Sequence, residues 1–146
     1  MATGFNKVFL DTAPFIYVLD YDIRYAESIK KFFDRALMRG IPLITSAVSV
    51  AEYLVLPYKL NATEKVKMFF AFLDDANIEV IPVGTGIAEN AARIRAEHPA
   101  FKAMDALQLA TAHTEGCDAF LTNDKQLRQF RSIKCVMVEE LENSGL

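Results

Sequence analysis

Four acidic residues stand in local settings that ordinary surface acids rarely have. Asp11 and Asp124 each follow a short apolar run, Glu52 is the only charged residue of an apolar stretch, and Asp105 opens another. If the fold gathers these carboxylates within a few ångströms, they repel one another, so protons or cations must offset their charge. Mg²⁺ and Mn²⁺ prefer oxygen ligands, and such ions polarise a phosphate and activate water. The four acids therefore predict metal-dependent phosphodiester hydrolysis.

Each acid by itself also has an ordinary structural explanation. Asp11 and Asp124 could cap the helical turns that follow them, and Asp105 could favour the positive end of a helix. Glu52 could lie on a thin solvent stripe, although the cost of burying a lone carboxylate favours a polar or metal-bound site. The functional hypothesis depends on the set, because the carboxyl ends of parallel strands meet at the edge where α/β folds bind ligands.

Length and composition limit the possibilities further. The 146 residues, 52% of them hydrophobic, predict a single domain spanning 1–146 with a sizeable core. The formal net charge of −3 does not indicate a broad nucleic-acid surface, which usually needs clustered Lys and Arg. It does not exclude a nucleic-acid substrate either, because an acidic metal pocket makes the formal charge more negative.

The sequence also favours a cytoplasmic protein. No apolar run approaches the ~20 residues that span a bilayer. The first six residues lack a basic segment followed by an apolar one, so we expect no secretory signal. Cys117 and Cys135 have no metal-binding spacing and are expected to be free thiols. His98 and His113 are too few and too scattered for a zinc site.

The hydrophobic pattern predicts strands that alternate with helices. The predicted strands are 7–10, 42–45, 79–83, 118–122 and 135–138. The predicted helices are 13–20, 24–38, 46–56, 61 or 63 to 75, 85–97 and 102–115, with a short helical turn at 125–130. This alternation indicates a mostly parallel sheet with helices on both faces. We expect a buried first helix, a third helix closed by Pro57, and a loose acidic tail at 139–146.

Four segments that contain the acids resemble the PIN-domain nucleases, and especially the small stand-alone toxins of the VapC type. The segments are FLDTAPFIY (9–17), TSAVSVAE (45–52), MDALQLATA (104–112) and FLTND (120–124). Each motif alone is weakly specific, whereas their common order and separations cover essentially the whole chain. The resemblance implies a three-layer PIN-like α/β fold with a five-stranded parallel sheet in the order 3-2-1-4-5 and helices on both faces.

The same resemblance implies Mg²⁺- or Mn²⁺-dependent cleavage of single-stranded or looped RNA. One or two ions would be held by the four carboxylates, with three polar residues in support. The carboxylates are Asp11, Glu52, Asp105 and Asp124, and the supporting residues are Thr12, Thr122 and Asn123. Relatives of the VapC type imply a homodimer and a small antitoxin protein that reaches into the acidic groove. Met68 and Phe72 form a spare apolar line that would suit either a partner or the core.

Basic residues at the rim of such a site would hold the RNA backbone. Lys102 is the first candidate because it lies three residues before Asp105; the others are Arg93, Arg95 and Lys125, and each has a solvated surface as its ordinary explanation. The alternative function is a catalytically weak or inactive PIN-fold RNA-binding or scaffold protein.

Two other classes with an acid after the first strand fit less well. Receiver domains need an Asp at the end of the third strand, and haloacid dehalogenase-type phosphatases need a second acid two residues after Asp11. The sequence has neither.

Overall fold

The computed structural model describes residues 4–146 and contains one five-stranded sheet flanked by six α-helices. The strands are Val8–Leu10 (β1), Leu43–Ser46 (β2), Ile78–Ile81 (β3), Ala119–Thr122 (β4) and Lys134–Met137 (β5). The helices are Thr12–Leu19 (α1), Ala26–Arg39 (α2), Ala47–Lys59 (α3), Thr63–Asp75 (α4), Thr85–Glu97 (α5) and Ala103–Thr114 (α6). Two 3₁₀ helices, Lys125–Gln129 and Val138–Asn143, flank β5.

All neighbouring strands run parallel, in the order β3-β2-β1-β4-β5. The predicted sheet and its order are therefore confirmed. In the central strand, Val8 pairs with Leu43 of β2 on one side and with Ala119 of β4 on the other. Because β1 and β4 are adjacent and parallel, the residues that follow them emerge at the same edge of the sheet.

The central strand shows how the two hydrophobic layers form. Val8, Phe9 and Leu10 are all fully buried, and successive side chains point to opposite faces of the sheet. Val8 and Leu10 join a core with residues of α1, α2, α3 and α4. Phe9 joins a second core with α5, α6 and the first 3₁₀ helix, and its ring stacks on Phe120 with centroids 5.1 Å apart. Helices thus cover both faces of the sheet, as predicted.

The prediction that Pro57 ends the third helix is wrong. Helix α3 continues through this proline to Lys59. A proline lacks only its own N–H, and the next turn stays bonded: the Leu60 N–H donates to Leu56 O at 3.0 Å. Because Pro57 lies in the last turn and its ring is buried, the helix tolerates it.

The tail is also more ordered than the sequence suggested. Residues 138–143 form the second 3₁₀ helix, and Leu141 and Leu146 are only 1% and 6% exposed. The Arg35 guanidinium donates two hydrogen bonds to the carbonyl oxygen of Leu146. Between its acidic residues the segment carries apolar side chains that belong to the first core, and these side chains hold the segment against α2.

Surface exposure corrects two further expectations. Phe72 is not part of a spare apolar line, because its ring packs edge-on against Phe15 and Phe33. Met68 is exposed, as is Phe70 on the same helix. Helix α1 is not buried all round, since Ile16 is 40% exposed. Within residues 4–146, no helix is both long and apolar enough to cross a membrane.

Candidate active site

Asp11 lies at the centre of the carboxyl edge of the sheet. It ends β1 and caps α1, with extended backbone angles that turn the chain from strand to helix. Its backbone N–H donates to Leu121 O at 2.9 Å and so continues the pairing with β4. One side-chain oxygen, Oδ1, accepts from the Thr12 N–H at 2.9 Å, and Oδ2 accepts from the Thr122 hydroxyl at 2.7 Å. The neighbouring strand therefore helps to orient this carboxylate.

The Asp11 side chain is poorly stabilised in its charged form despite these hydrogen bonds. Burial is the main cause, and it raises the pKa from 3.8 to about 6. The hydrogen bonds from Thr122 and Thr12 oppose this rise, whereas the nearby charges of Asp105 and Glu52 add to it. A cation beside Asp11 would remove the penalty, because it favours the ionised form.

Thr122 connects Asp11 to the second strand-end acid. Its fully buried hydroxyl donates to Asp11 and accepts from the Asp124 N–H at 3.1 Å. The Asp124 side chain then caps the first 3₁₀ helix by accepting from the Gln126 N–H at 3.0 Å. The capping role and a position beside Asp11 are therefore compatible.

Glu52 does not face a buried polar site, contrary to the interpretation favoured by its isolation. Its side chain is exposed, and so are Ala51 and Val55 on the same helix. An apolar helix that leaves part of its surface open imposes no burial cost on its single acid. Glu52 nevertheless belongs to the same edge, because the Thr12 hydroxyl donates to Oε1 at 2.6 Å.

Asp105 completes the set from the opposite layer, in the first turn of α6. Its pKa is raised, chiefly by burial, then by the charges of Asp124 and Glu52. The positive charge of Lys102, one of the smaller influences, lowers the pKa. Asp105 thus lies within electrostatic range of Asp11, Glu52 and Asp124, which come from three other parts of the chain.

Three residues beneath these acids, Ser46, Ser49 and Gln108, were assigned no role in the sequence-based prediction. The Gln108 amide donates to Ser49 Oγ at 2.7 Å and to Asp11 Oδ1 at 3.3 Å, and its oxygen accepts from the Ser46 hydroxyl. All three side chains are buried. Gln108 is the lone amide in an apolar helix, three residues after Asp105 and so on the same face. This spacing is the signal that would have revealed it.

The remaining predicted residues lie around this network. The Asn123 amide donates to the Tyr17 hydroxyl at 3.0 Å, which links the segment after β4 to α1. Lys102 immediately precedes α6 and is exposed.

The three weaker basic candidates all have partners within the chain. Arg93 lies 3.6 Å from Glu89, and Lys125 lies 3.1 Å from Glu139. The Arg95 guanidinium donates to the backbone carbonyl of Phe101. Their ordinary explanation, a solvated and internally paired surface, accounts for these contacts.

The donor set fits a hard divalent cation that keeps part of its water shell. Across residues 4–146, no three histidine, cysteine, aspartate or glutamate side chains stand as a ready-made ligand group. Mg²⁺ does not require one, because it binds through one or two carboxylates and several waters. The pKa values of Asp11 and Asp105 are raised chiefly by burial and further by neighbouring acids, and a cation would favour the ionised form of both.

Comparison with known proteins places the chain among proteins of the same architecture. A family model described as PIN domain matches residues 8–133, most of the chain. No curated protein is a significant match by sequence.

Three solved structures illustrate the structural similarity. A chain of the VapBC2 complex from Rickettsia felis, bound to promoter DNA, has a TM-score of 0.68 at 16% identity, covering 90% of this chain and 98% of that one. A chain of a toxin–antitoxin complex from Klebsiella pneumoniae has a TM-score of 0.66 at 22% identity, with coverages of 90% and 97%. VapC20 of Mycobacterium tuberculosis, described as a sarcin-ricin loop cleaving toxin, has a TM-score of 0.65 at 18% identity, covering 85% of this chain and 95% of that one. At these identities the similarity establishes the shared fold.

Proposed function

Because the chain belongs to the PIN-domain family, we propose that it is a divalent-metal-dependent ribonuclease that hydrolyses RNA phosphodiester bonds. The observation that carries this proposal is the convergence of Asp11, Glu52, Asp105 and Asp124 on the carboxyl edge of the sheet. These acids come from four separate stretches of the chain. Capping or surface solvation explains single members, but neither explains why all four share one edge.

The four carboxylates would hold one or two Mg²⁺ or Mn²⁺ ions. A bound ion of this kind polarises a phosphate oxygen and lowers the pKa of water. Only ionised carboxylates serve as ligands, so the proton that Asp11 carries below about pH 6 leaves before a cation binds. The proposed activity should therefore be lost in acid.

Two threonines and one glutamine would hold these carboxylates in position. Thr12 bonds Glu52 through its hydroxyl and Asp11 through its backbone N–H. On the other side, the Thr122 hydroxyl donates to the Asp11 carboxylate and accepts from the backbone N–H of Asp124. Gln108 supports Asp11 from below. Carboxylates with fixed orientations reorganise little when charge develops in the transition state, which is how preorganised sites accelerate reactions.

The choice of RNA as substrate, and of toxin as biological role, is supported by the structural relatives. VapC20 is described as an RNA-loop-cleaving toxin, and the two other relatives are toxin–antitoxin complexes. Lys102, exposed beside Asp105, is the basic residue that we propose contacts the RNA backbone. As a toxin, this protein would thus arrest growth by cutting a cellular RNA.

We further propose that a small antitoxin protein inhibits this activity and that the chain forms a homodimer. Support comes from large apolar side chains left exposed along α3, α4 and the turn between them. These residues are Val55, Leu56, Tyr58, Leu60, Met68 and Phe70. An apolar surface of this kind, which begins on the helix that carries Glu52, suits a protein partner.

The decisive test is cleavage of an unstructured RNA by the wild-type protein with Mg²⁺ or Mn²⁺ and with EDTA. We expect cleavage only with metal, and loss of cleavage in Glu52→Gln. Glu97→Gln, an exposed acid at the end of α5, is the matched control and should cleave normally. Cleavage that persists in EDTA, or its absence with every RNA tested, would refute the proposal.

A further inference from the structure

The loop that joins α1 to α2 carries aromatic and cationic side chains close to the carboxyl edge. The Arg24 guanidinium lies over the Tyr25 ring, 4.9 Å from its centroid. The Lys30 ammonium lies 5.3 Å from the centroid of Tyr21. Aromatic rings interleaved with cations are typical of surfaces on which the bases of single-stranded nucleic acids stack.

The orientation of Arg24 is set within the loop. Asp22 accepts from Nε at 3.1 Å, from Nη2 at 2.8 Å and from the Arg24 backbone N–H at 2.9 Å. This two-pronged pair holds the guanidinium over the Tyr25 ring, while 65% of the arginine side chain remains exposed. A flat guanidinium held over an aromatic ring offers a base a surface on which to stack.

Tyr21 is also presented outward by its backbone. Its φ of 52° lies in the left-handed region, which costs a bulky residue free energy. The ring is 53% exposed, and its hydroxyl donates to Glu27 at 2.8 Å. The left-handed φ itself closes α1, because the Asp22 N–H donates to Tyr17 O at 2.8 Å, as is usual at the end of a helix.

The cluster connects directly to the proposed active site. The Tyr17 and Tyr25 rings have centroids 4.8 Å apart, and the Tyr17 hydroxyl accepts from the Asn123 amide. Asn123 lies between Thr122 and Asp124 in the chain. The aromatic cluster therefore borders the edge where a phosphate would be cut.

The local charges distinguish stacking from attraction to phosphates. Arg24 is paired with Asp22, and Tyr21 is bonded to Glu27, so acids lie beside both aromatic–cation pairs. A surface with balanced charge gains little from counterion release and has a shallow salt dependence. The remaining source of affinity is the contact of flat groups with bases.

We propose that Tyr17, Arg24 and Tyr25 form a stacking platform for an unpaired base next to the scissile phosphate. This inference rests on the proposed ribonuclease function, and it adds where on the protein an unpaired base of the substrate would lie. Arg24 would supply the outer flat surface, and Tyr25 would support it from behind.

The first test measures RNA binding in EDTA, where cleavage does not interfere. The probe is a fluorescein-labelled oligoadenylate of about 12 nucleotides, within the range of roughly 4–16 that single-strand binding folds occupy. Arg24→Ala and Arg24→Lys should both weaken binding about 5- to 20-fold, because lysine keeps the charge but lacks the flat surface. Arg39→Lys, at the far end of α2, is the matched control and should bind normally.

Two further measurements separate the possible outcomes. An abasic strand of the same length should bind wild type and Arg24→Lys equally. In Mn²⁺-dependent cleavage, Arg24→Lys should raise KM with a much smaller effect on kcat, and its melting temperature should match that of wild type.

Wild-type affinity in Arg24→Lys would overturn the platform, because charge alone would then suffice. Unchanged affinity in Arg24→Ala would overturn it as well and assign the cluster to loop packing. Wild-type protein that binds the oligoadenylate but never cleaves RNA would instead refute the proposed function and leave the platform standing.

Discussion

Asp11 and Asp118 connect the same two strands at opposite ends of the sheet, yet their surroundings differ. Asp118 lies just before β4 and accepts backbone N–H groups of Asn6 and Lys7, at 2.8 to 3.1 Å. Asp11 lies just after β1, accepts one backbone N–H, one hydroxyl and one amide, and is influenced by two other acids. One carboxylate is satisfied by the chain segment that it holds, whereas the other is buried and has two acids nearby.

The difference teaches how the two ends of a parallel sheet are used. Fixed N–H donors stabilise a carboxylate and resist rearrangement, so Asp118 strengthens the start of β1. A buried carboxylate with other acids nearby is destabilising, and such arrangements persist where a ligand benefits from them. Stability is therefore expected to depend on the amino end, and function on the carboxyl end.

The largest expected effect is the loss of activity in Asp11→Asn. Asparagine preserves size and the capping oxygen but removes the charge, so RNA cleavage should fall about 10³-fold, roughly 4 kcal/mol in the barrier. Asp118→Asn is the matched control: it should cleave normally and lose about 1–2 kcal/mol of unfolding free energy. Initial cleavage rates and urea unfolding measure the two effects. Equal loss of activity in both variants would contradict the division of roles.

A second effect concerns pH in the metal-free protein. The Asp11 pKa is about 6 in the folded chain and about 3.9 in an unfolded one, so the folded state holds the proton more tightly. The favourable contribution of Asp11 to the unfolding free energy is complete below about pH 4 and is lost as pH rises through about 6. The loss is at most about 3 kcal/mol.

Urea unfolding in EDTA across this range measures that loss directly. The unfolding free energy of wild type minus that of Asp11→Asn should fall between about pH 4 and pH 7. A difference that is constant with pH would show that Asp11 is not poorly solvated.

A bound metal ion should offset the loss of stability caused by ionised Asp11, and it should act at the carboxyl end of the sheet only. With Mn²⁺ at about 100 times its dissociation constant, a single site that binds only the folded state adds about 2.7 kcal/mol. Wild type and Asp118→Asn should both gain melting temperature, whereas Asp11→Asn should gain much less. Differential scanning fluorimetry with and without Mn²⁺ measures this. Full stabilisation of Asp11→Asn would remove Asp11 from the ligand set.

The smallest expected effect is that of Thr122→Val, which keeps the shape of the side chain but removes its hydroxyl. Asp11 and the Asp124 N–H each lose a partner, so cleavage should fall about tenfold. Thr111→Val is the matched control, because the buried Thr111 hydroxyl donates only to a carbonyl of its own helix, Leu107 O, at 2.7 Å. Both variants should lose similar stability, and only Thr122→Val should lose activity. A similar loss of activity in both would reduce Thr122 to a packing residue.

Much of the fold was predictable because its signals are local. Short apolar runs such as those of β1 and β4 are typical of buried strands, and Gly40, at φ 64°, ends α2 where a left-handed residue is needed. The errors arose where distant contacts override local signals. Pro57 lies in a last turn that neighbouring hydrogen bonds preserve, and the acidic tail contains leucines whose partners lie on α2 and the sheet.

The sequence indicated the four acids and the threonines next to them, but not the buried polar group beneath them. Asp11, Glu52, Asp105 and Asp124 are conspicuous because each contrasts with apolar neighbours. The buried group of Ser46, Ser49 and Gln108 is inconspicuous, because each of its members is an ordinary polar residue until the others are placed beside it. Their roles and those of the four acids remain predictions that the variants above test.

The sequence by itself determined which residues alternate between strand and helix, and which acids stand in unfavourable settings. Both properties depend on neighbours along the chain, and they are read from local patterns. Only the tertiary structure decided that Glu52 is exposed and that Asp11 and Asp118 have different surroundings. Those outcomes depend on contacts between residues about 40 to 110 positions apart, whose partners no local pattern specifies.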